Sequence, residues 1–227
     1  MPSFLGLFIN PFYFVRNGLH KKLKLLSHEL KGDLIDFGCG AMPYKELFNV
    51  ATYTGLDYAE SGHECEEQEG KIYYDGKKIP FEESSVDALF ASEVFEHIFN
   101  LEQILEELHR VLKPGGKLLF TIPFAWEEHE VPHDFARYSS YGIISLLEKH
   151  GFKILQAHKS GTAFETCAQL FIAYVYGLFP KMKWLNLLLT LLLIAPLNIM
   201  TLFMSLLLPK NNNLYLNNVM LVEKVTV

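Results

Sequence analysis

Cysteine is scarce in this 227-residue chain: Cys39, Cys65 and Cys167 stand far apart, with no CxxC and no Cys/His ligand spacing. That excludes a disulfide framework and a structural zinc ribbon, and it suits a reducing compartment. The N-terminus, MPSFLGLFINPFYF, lacks a basic leading region and a small-residue cleavage site, so it does not read as a secretory signal. Low-complexity tracts are missing too, and a hydrophobic content of 50% with 14% aromatics excludes disorder. Positive charge is short where a nucleic-acid footprint would need it. Between Gly32 and Ser160 there are 11 Lys and Arg against 23 Asp and Glu, so no nucleic-acid partner is expected.

What is present is unevenly placed. Residues 1–31 carry five basic residues (Arg16, Lys21, Lys22, Lys24, Lys31) and one acid, Glu29. From 161 onward four Lys and two Glu lie among long runs of Leu. The whole chain is formally −6, and its mean hydropathy of +0.14 is high for a soluble enzyme. An acidic middle between basic, apolar ends suggests a soluble domain held at an anionic surface. A basic helix covering an acidic domain is the plainer alternative.

Periodicity supplies the elements. Leu19, Leu23, Leu26 and Leu30 recur at the spacing of one helix face. Short apolar runs then predict strands at 34–37, 53–56, 71–74, 86–91, 117–122, 152–157 and 218–225. Helices are predicted at 101–112, stopped by Lys113-Pro114-Gly115-Gly116, and at 139–150, capped by Ser139 and closed by Gly151. Alternating strands and helices imply an α/β fold with a mostly parallel sheet, whose ligands bind beyond the carboxyl ends of the strands. Asp36, Asp57, Asp75 and Ser92-Glu93 fall at four such ends in succession.

Those acids suit an adenosine ligand. Gly38 and Gly40 let the backbone turn sharply and approach a ligand closely. Asp57, 21 residues after Asp36, can grip two ribose hydroxyls, and a carboxylate after the third strand can accept from an adenine amino group. Met42 stands where GxGxxG would have its third glycine, and no Walker lysine follows, so dinucleotide and ATP readings lose weight. Acidic surroundings repel phosphates and tolerate a cationic sulfonium.

The runs LIDFGCG, TGLD, DGKKIPF, DALFASEVFEHI and LHRVLKPGGKLLFTIP resemble, in order, the motifs of class I S-adenosylmethionine-dependent methyltransferases, of the type 11-like kind. The resemblance covers roughly residues 15–160 and the final strand. It implies a Rossmann-like seven-stranded sheet of order 3-2-1-4-5-7-6, with the seventh strand antiparallel, and S-adenosyl-L-methionine as cofactor. By the same resemblance Asp36, Gly38, Cys39 and Gly40 would line the methionine end. Asp57 would take the ribose, Asp75 and Gly76 would meet the adenine, and Ser92-Glu93 would close beneath the sulfonium. GCGAMPYKELF and HEVPHDFARYS look like a bacterial subgroup associated with cell-envelope glycans or lipids.

His129-Glu130-Val131-Pro132-His133 matches the HExxH zinc-protease signature. That chemistry needs both histidines on one helical face, and Pro132 removes a donor and pushes Val131 out of the helical region. No third ligand follows by spacing, so no metal is expected. Acceptor contacts are instead expected from Trp126, Glu130, Asp134, Arg137 and Tyr138, which crowd the segment after the fifth strand. For an alcohol acceptor, His97, His129 and His133 are the candidate general bases. His97 could equally be a structural cap, and Asp134 with Arg137 an ion pair ordering the loop.

Between the sixth and seventh strands lie about sixty residues where a short connection would do. Trp184–Leu208 has no charged residue over 25 positions and is flanked by Lys181, Lys183 and Lys210. Because both neighbouring strands belong to one sheet, the insertion must leave and return on one side. A re-entrant hairpin bending at Pro196-Leu197-Asn198 meets that condition, and so does a descent over Ala163–Phe179 with a return over Trp184–Leu208, although the Lys181–Lys183 turn would then face the far side. The hairpin or an interfacial arrangement is favoured, and a helical dimer interface is the alternative. Residues 1–15 would be a second membrane contact, backed by the basic helix.

The expected organisation is an N-terminal helical segment (1–31), a methyltransferase domain (32–161 with 214–227) and a hydrophobic insertion (162–213). The expected function is methyl transfer, to oxygen, on a lipid-linked, glycan or other amphipathic acceptor at the cytoplasmic face of the inner membrane. The rival from another class is a non-catalytic membrane adaptor that keeps the fold. Cofactor binding without turnover would mark it.

Overall fold

The computed structural model describes residues 4–58 and 70–225, so Cys65 and the first three residues of the apolar N-terminus lie outside the described part. Chain contacts divide it into two units. One gathers Leu23–Pro123, Glu128–His158 and Asn218–Val227; the other gathers Met1–Lys22, Phe124–Glu127 and Lys159–Asn217.

In chain order the helices are α1 (Gly6–Ile9), α2 (Tyr13–Leu26), α3 (Leu101–Val111), α4 (Ser140–Lys149), α5 (Ala163–Gly177), α6 (Lys183–Leu189) and α7 (Ala195–Leu207). The strands are β1 (Asp33–Phe37), β2 (Thr52–Tyr58), β3 (Lys71–Tyr74), β4 (Val86–Ser92), β5 (Leu112–Pro123), β6 (Phe152–Ser160) and β7 (Asn217–Lys224). They form one sheet of order β3-β2-β1-β4-β5-β7-β6. β1 pairs in parallel with β2 and β4, and β2 with β3 and β4 with β5 likewise. β7 runs antiparallel to β6: Leu216 N–H donates to Ser160 O at one end and Val225 N–H to Gly151 O at the other.

The core of the sheet unit explains why the apolar runs became strands. Ile35, Phe37, Leu89, Leu118, Phe120, Met220 and Val222 lie buried in one cluster with the inner faces of α3 and α4. α3 buries Leu101, Ile104, Leu105, Leu108 and Val111, the stripe that its spacing foretold. Ser139 caps α4 by accepting the Gly142 N–H at 3.2 Å.

Three local expectations are corrected. The first helix stops at Leu26, short of the last leucine of its stripe, and a 3-10 turn, Ser27–Glu29, leads on to Leu30. Lys113–Gly116 does not stand outside the fifth strand: Leu112 pairs with Val86 and Lys117 with Ala88, so the four residues bulge out of a longer β5. The third concerns the reversal at Pro196. Residues 183–207 run on as one helix, with a π turn at Thr190–Ile194 just before the proline. Proline is tolerated in a first turn, and the widened turn absorbs its missing N–H and its ring. The break in the insertion falls at 178–182, between α5 and α6.

The helical unit has its own packing. α5 packs against α7 and the π turn, as does α1 against both. Phe14, Ile172, Ile194 and Leu216 form its small apolar core, flanked by Trp126, Tyr176 and Leu202.

Candidate active site

Two groups of polar residues gather at the carboxyl ends of the central strands. β1 delivers Asp36, which is 3% exposed and held by the Tyr53 hydroxyl, donating to Oδ2 at 2.5 Å. Burial is the main reason its carboxyl is pushed up to about 7; the nearby Asp57 adds to it, and the Tyr53 hydrogen bond works the other way. The turn that follows is pinned by Gly38 N–H and Cys39 N–H donating to Leu56 O. Gly38 has φ +67°, and a Cβ there would meet the Val94 methyls at 2.5 Å, so only glycine fits. At Gly40, φ +47°, a Cβ would meet nothing within 4 Å among the described residues. The loop therefore offers its backbone to open space, a cradle that a side chain would fill.

Asp57 is the penultimate residue of β2. Its Oδ2 lies 3.0 Å from Lys71 Nζ, and the same ammonium donates to Gly40 O at 3.2 Å. Lys71 thus ties the strand-end acid to the glycine turn. Cys39 is buried there, and burial, then the Asp36 and Asp57 charges, push its thiol up to about 12. It is a packing residue, not a nucleophile. Asp75 spends Oδ1 on the Lys77 and Lys78 N–H groups, and so shapes the turn around Gly76. Ser92 Oγ lies 3.0 Å from Thr121 Oγ1, and Glu93, at φ +55°, donates its N–H to the Thr121 carbonyl. A non-glycine residue held in that region marks a backbone constrained by its surroundings.

The second group lies just beyond β4 and β5. Phe95–His97 forms a 3-10 turn, and Phe135 N–H donates to Glu96 O at 2.8 Å, tying the segment after β5 to that turn. His97 and His129 come together, ring centroids 4.7 Å apart. Asp134 receives Arg137 at both oxygens (2.5 and 2.7 Å) and the His129 N–H at 2.9 Å. Arg137 chiefly holds the Asp134 carboxyl down at about 2. Glu96 is fully buried; burial first, and then the Glu93 charge, keep its carboxyl well above the usual range.

Not every expected residue joins these groups. Residues 128–139 contain no helix, so His129 and His133 share no helical face, as the zinc-protease mechanism would require. His133 is exposed and meets His97 through its backbone carbonyl. Tyr138 packs on the core and gives its carbonyl to Asn218 Nδ2 at 2.9 Å. Trp126 belongs to the helical unit, where it packs edge-on against Phe12 at 5.9 Å. Sequence reasoning missed Tyr53, Lys71, Glu96 and Thr121. Tyr53 and Lys71 sit at strand positions with no local signal, whereas Glu96 lay in plain view beside His97.

Residues 35–120 match the family model described as a methyltransferase domain. Malonyl-[acyl-carrier protein] O-methyltransferase 1 of Coxiella burnetii is 33% identical over 84 residues, 37% of this chain and 29% of that protein. A sterol 4-C-methyltransferase of Caenorhabditis elegans is 44% identical over 87 residues, 38% of this chain and 25% of that protein. The chain thus spans under a third of the length of these two relatives. The solved structure of Haemonchus contortus phosphoethanolamine N-methyltransferase 2 in complex with S-adenosyl-L-methionine shares the fold, with TM-score 0.56 at 17% identity, covering 98% of this chain and 56% of that one. The sheet order, the glycine turn between two strand-end acids and the match over β1 to β5 agree on one description: residues 35–120 match a methyltransferase domain, and the seven-stranded sheet has the Rossmann-like methyltransferase fold.

Proposed function

We propose that this chain is a membrane-associated methyltransferase that uses S-adenosyl-L-methionine to methylate a hydroxyl of a lipid-linked or amphipathic acceptor. When bound, the cofactor supplies a methyl group activated by a sulfonium. The chain's own residues bind and orient. The Gly38–Gly40 turn admits the methionine end, and Asp36, buried and with no cation beside it among the described residues, suits a positively charged ligand. Asp57, shared with Lys71, is placed to accept from ribose hydroxyls. The observation that carries the reading is the open cradle at Gly40 beside these two acids.

At the second group, His97 and His129 can each take a proton from an acceptor hydroxyl at Nε2, because Nδ1 of each faces an oxygen. Positioning supplies much of the rate in such a displacement.

The membrane part rests on the helical unit's inverted polarity. Its polar side chains point inward: Asn198 Nδ2 donates to Leu7 O and Asn10 O, and Gln169 bridges the Phe14 N–H and Pro11 O. Its large apolar ones point outward, with Phe4, Trp184, Leu192, Phe203 and Leu206 all 60% exposed or more. The 25-residue helix, at about 1.5 Å per residue, is long enough to cross a bilayer, whereas α5, with 15 residues, is too short to bring the chain back. An orientation in the plane of the interface satisfies both. The Coxiella burnetii and Caenorhabditis elegans relatives, named for acyl-carrier and sterol substrates, agree with an amphipathic acceptor.

The test is calorimetric titration of the folded protein with S-adenosylhomocysteine. Wild type is expected to bind, and Asp57→Ala to bind about 10- to 100-fold more weakly, the worth of one charge-assisted contact. No binding by folded wild type would leave the non-catalytic adaptor as the reading.

A further inference from the structure

Methyl transfer leaves one feature of the second group unused. Glu96 is 0% exposed, and among the described residues neither of its carboxylate oxygens has a hydrogen-bond partner. A buried carboxyl without a partner is expensive. What faces Oε1 is two imidazole nitrogens, His97 Nε2 at 3.7 Å and His129 Nε2 at 3.9 Å, and the three ligand atoms lie within 4.8 Å of one another. These gaps are too long for hydrogen bonds. A cation at about 2.1 Å from each ligand would hold neighbouring ligand atoms roughly 3 to 3.5 Å apart, which small ring rotations reach.

Both imidazoles are oriented for that use. His97 Nδ1 lies 2.7 Å from the His133 carbonyl oxygen, which can only accept, so the proton sits on Nδ1 and Nε2 keeps its lone pair. His129 Nδ1 lies 3.2 Å from Asp134 Oδ2, a carboxylate oxygen that also accepts from Arg137. Arg137 Nη2 also approaches that nitrogen, but at 3.5 Å, while it donates to Asp134 at 2.7 Å. A carbonyl behind one histidine and a carboxylate behind the other is the outer support that metal-binding imidazoles have. Glu130 Oε2, 3.8 Å from His97 Nε2 and half exposed, stands on the open side.

We propose that Glu96, His97 and His129 bind a divalent transition-metal cation of the zinc and cobalt class. Two imidazoles with carboxylate oxygen favour that class over calcium or magnesium, which take all-oxygen sets. The site is not the HExxH site. Only His129 comes from that motif, His133 contributes a backbone carbonyl to the outer support, and the other two ligands come from the turn after β4. The absence of metal expected from sequence spacing is thereby reversed in this proposal. It rests on side-chain geometry alone, and it competes with the base role given above, since an imidazole whose Nε2 holds a cation has no lone pair left to take a proton there.

The experiment is a titration of the chelator-treated full chain with cobalt(II) chloride, read by visible absorption. Ligand-field bands saturating at one cobalt per chain, and bleached by added zinc, are expected. His97→Ala and His129→Ala should each weaken binding at least tenfold, and Asp134→Asn about tenfold through the lost outer support. The exposed His28→Ala should change nothing. A wild type without ligand-field bands overturns the proposal, as do bands that persist at full affinity in both histidine variants. Should circular dichroism show those variants unfolded, the isosteric Glu96→Gln decides: weakened binding upholds the site, and unchanged binding overturns it.

Discussion

Asp36 shows how much of this site is set by a single buried carboxyl. Its ordinary value is 3.8 and its folded value about 7, so between those pH values the unfolded chain has released a proton that the folded chain still holds. Stability therefore falls as pH rises through that window, by up to about 1.4 kcal/mol per pH unit, and is flat on either side. Asp36→Asn has no such proton to lose. Urea unfolding of the ligand-free protein from pH 4 to pH 8 should show the decline in wild type and a shallower one in the variant. Equal slopes would mean that Asp36 is ionised in the folded state. Binding a cation beside it would release the proton, so cofactor affinity is expected to rise over the same range.

At the scale of elements, α5 opens with a reciprocal cap. Thr162 Oγ1 accepts the Glu165 N–H at 3.3 Å, and Glu165 Oε2 accepts the Thr162 N–H at 2.8 Å. Thr162→Ala should cost about 1 kcal/mol of stability, seen as a lower melting temperature. An unchanged melting temperature would show that packing alone sets where α5 begins. The central strands β1, β4 and β5 were legible in the sequence because each carries a short apolar run, a pattern that follows from burial on both faces of the sheet. The course of the chain at Pro196 was not. Proline in a first helical turn and proline in a reversal look alike until the preceding turn is known to have widened. The bulge at Lys113–Gly116 was hidden similarly, since Pro-Gly-Gly signals a break without saying that pairing resumes on the same strand. The strand-end acids were readable from topology. The meeting of Glu96 and His97 with His129, more than thirty residues later, depends on the Phe135–Glu96 hydrogen bond, which no local pattern encodes.

For the molecule as a whole, charge and apolarity are segregated along the chain, and the helical unit wears its hydrophobic side outward. Leu192→Lys combined with Phe203→Lys places two charges on that face at positions each 60% exposed, where the fold loses little packing. The double variant is expected to stop sedimenting with vesicles of mixed neutral and anionic lipid, while S-adenosylhomocysteine binding is unchanged. Sedimentation as strong as wild type would remove the interfacial reading and favour a face that joins two copies of the chain.

One consequence concerns the order in which the protein can be made. β7 follows the apolar helices in the chain, yet in the sheet it lies between β5 and β6. Until it is synthesised, β5 and β6 each present an unpaired edge, the kind that invites wrong pairing. The ribosome therefore delivers the most insoluble segment into a half-built sheet, and closure waits on long-range pairing that is slow by nature. A bilayer that takes up the helices as they emerge would shelter them through that interval, so the surface proposed for the protein's work would also serve as its folding aid.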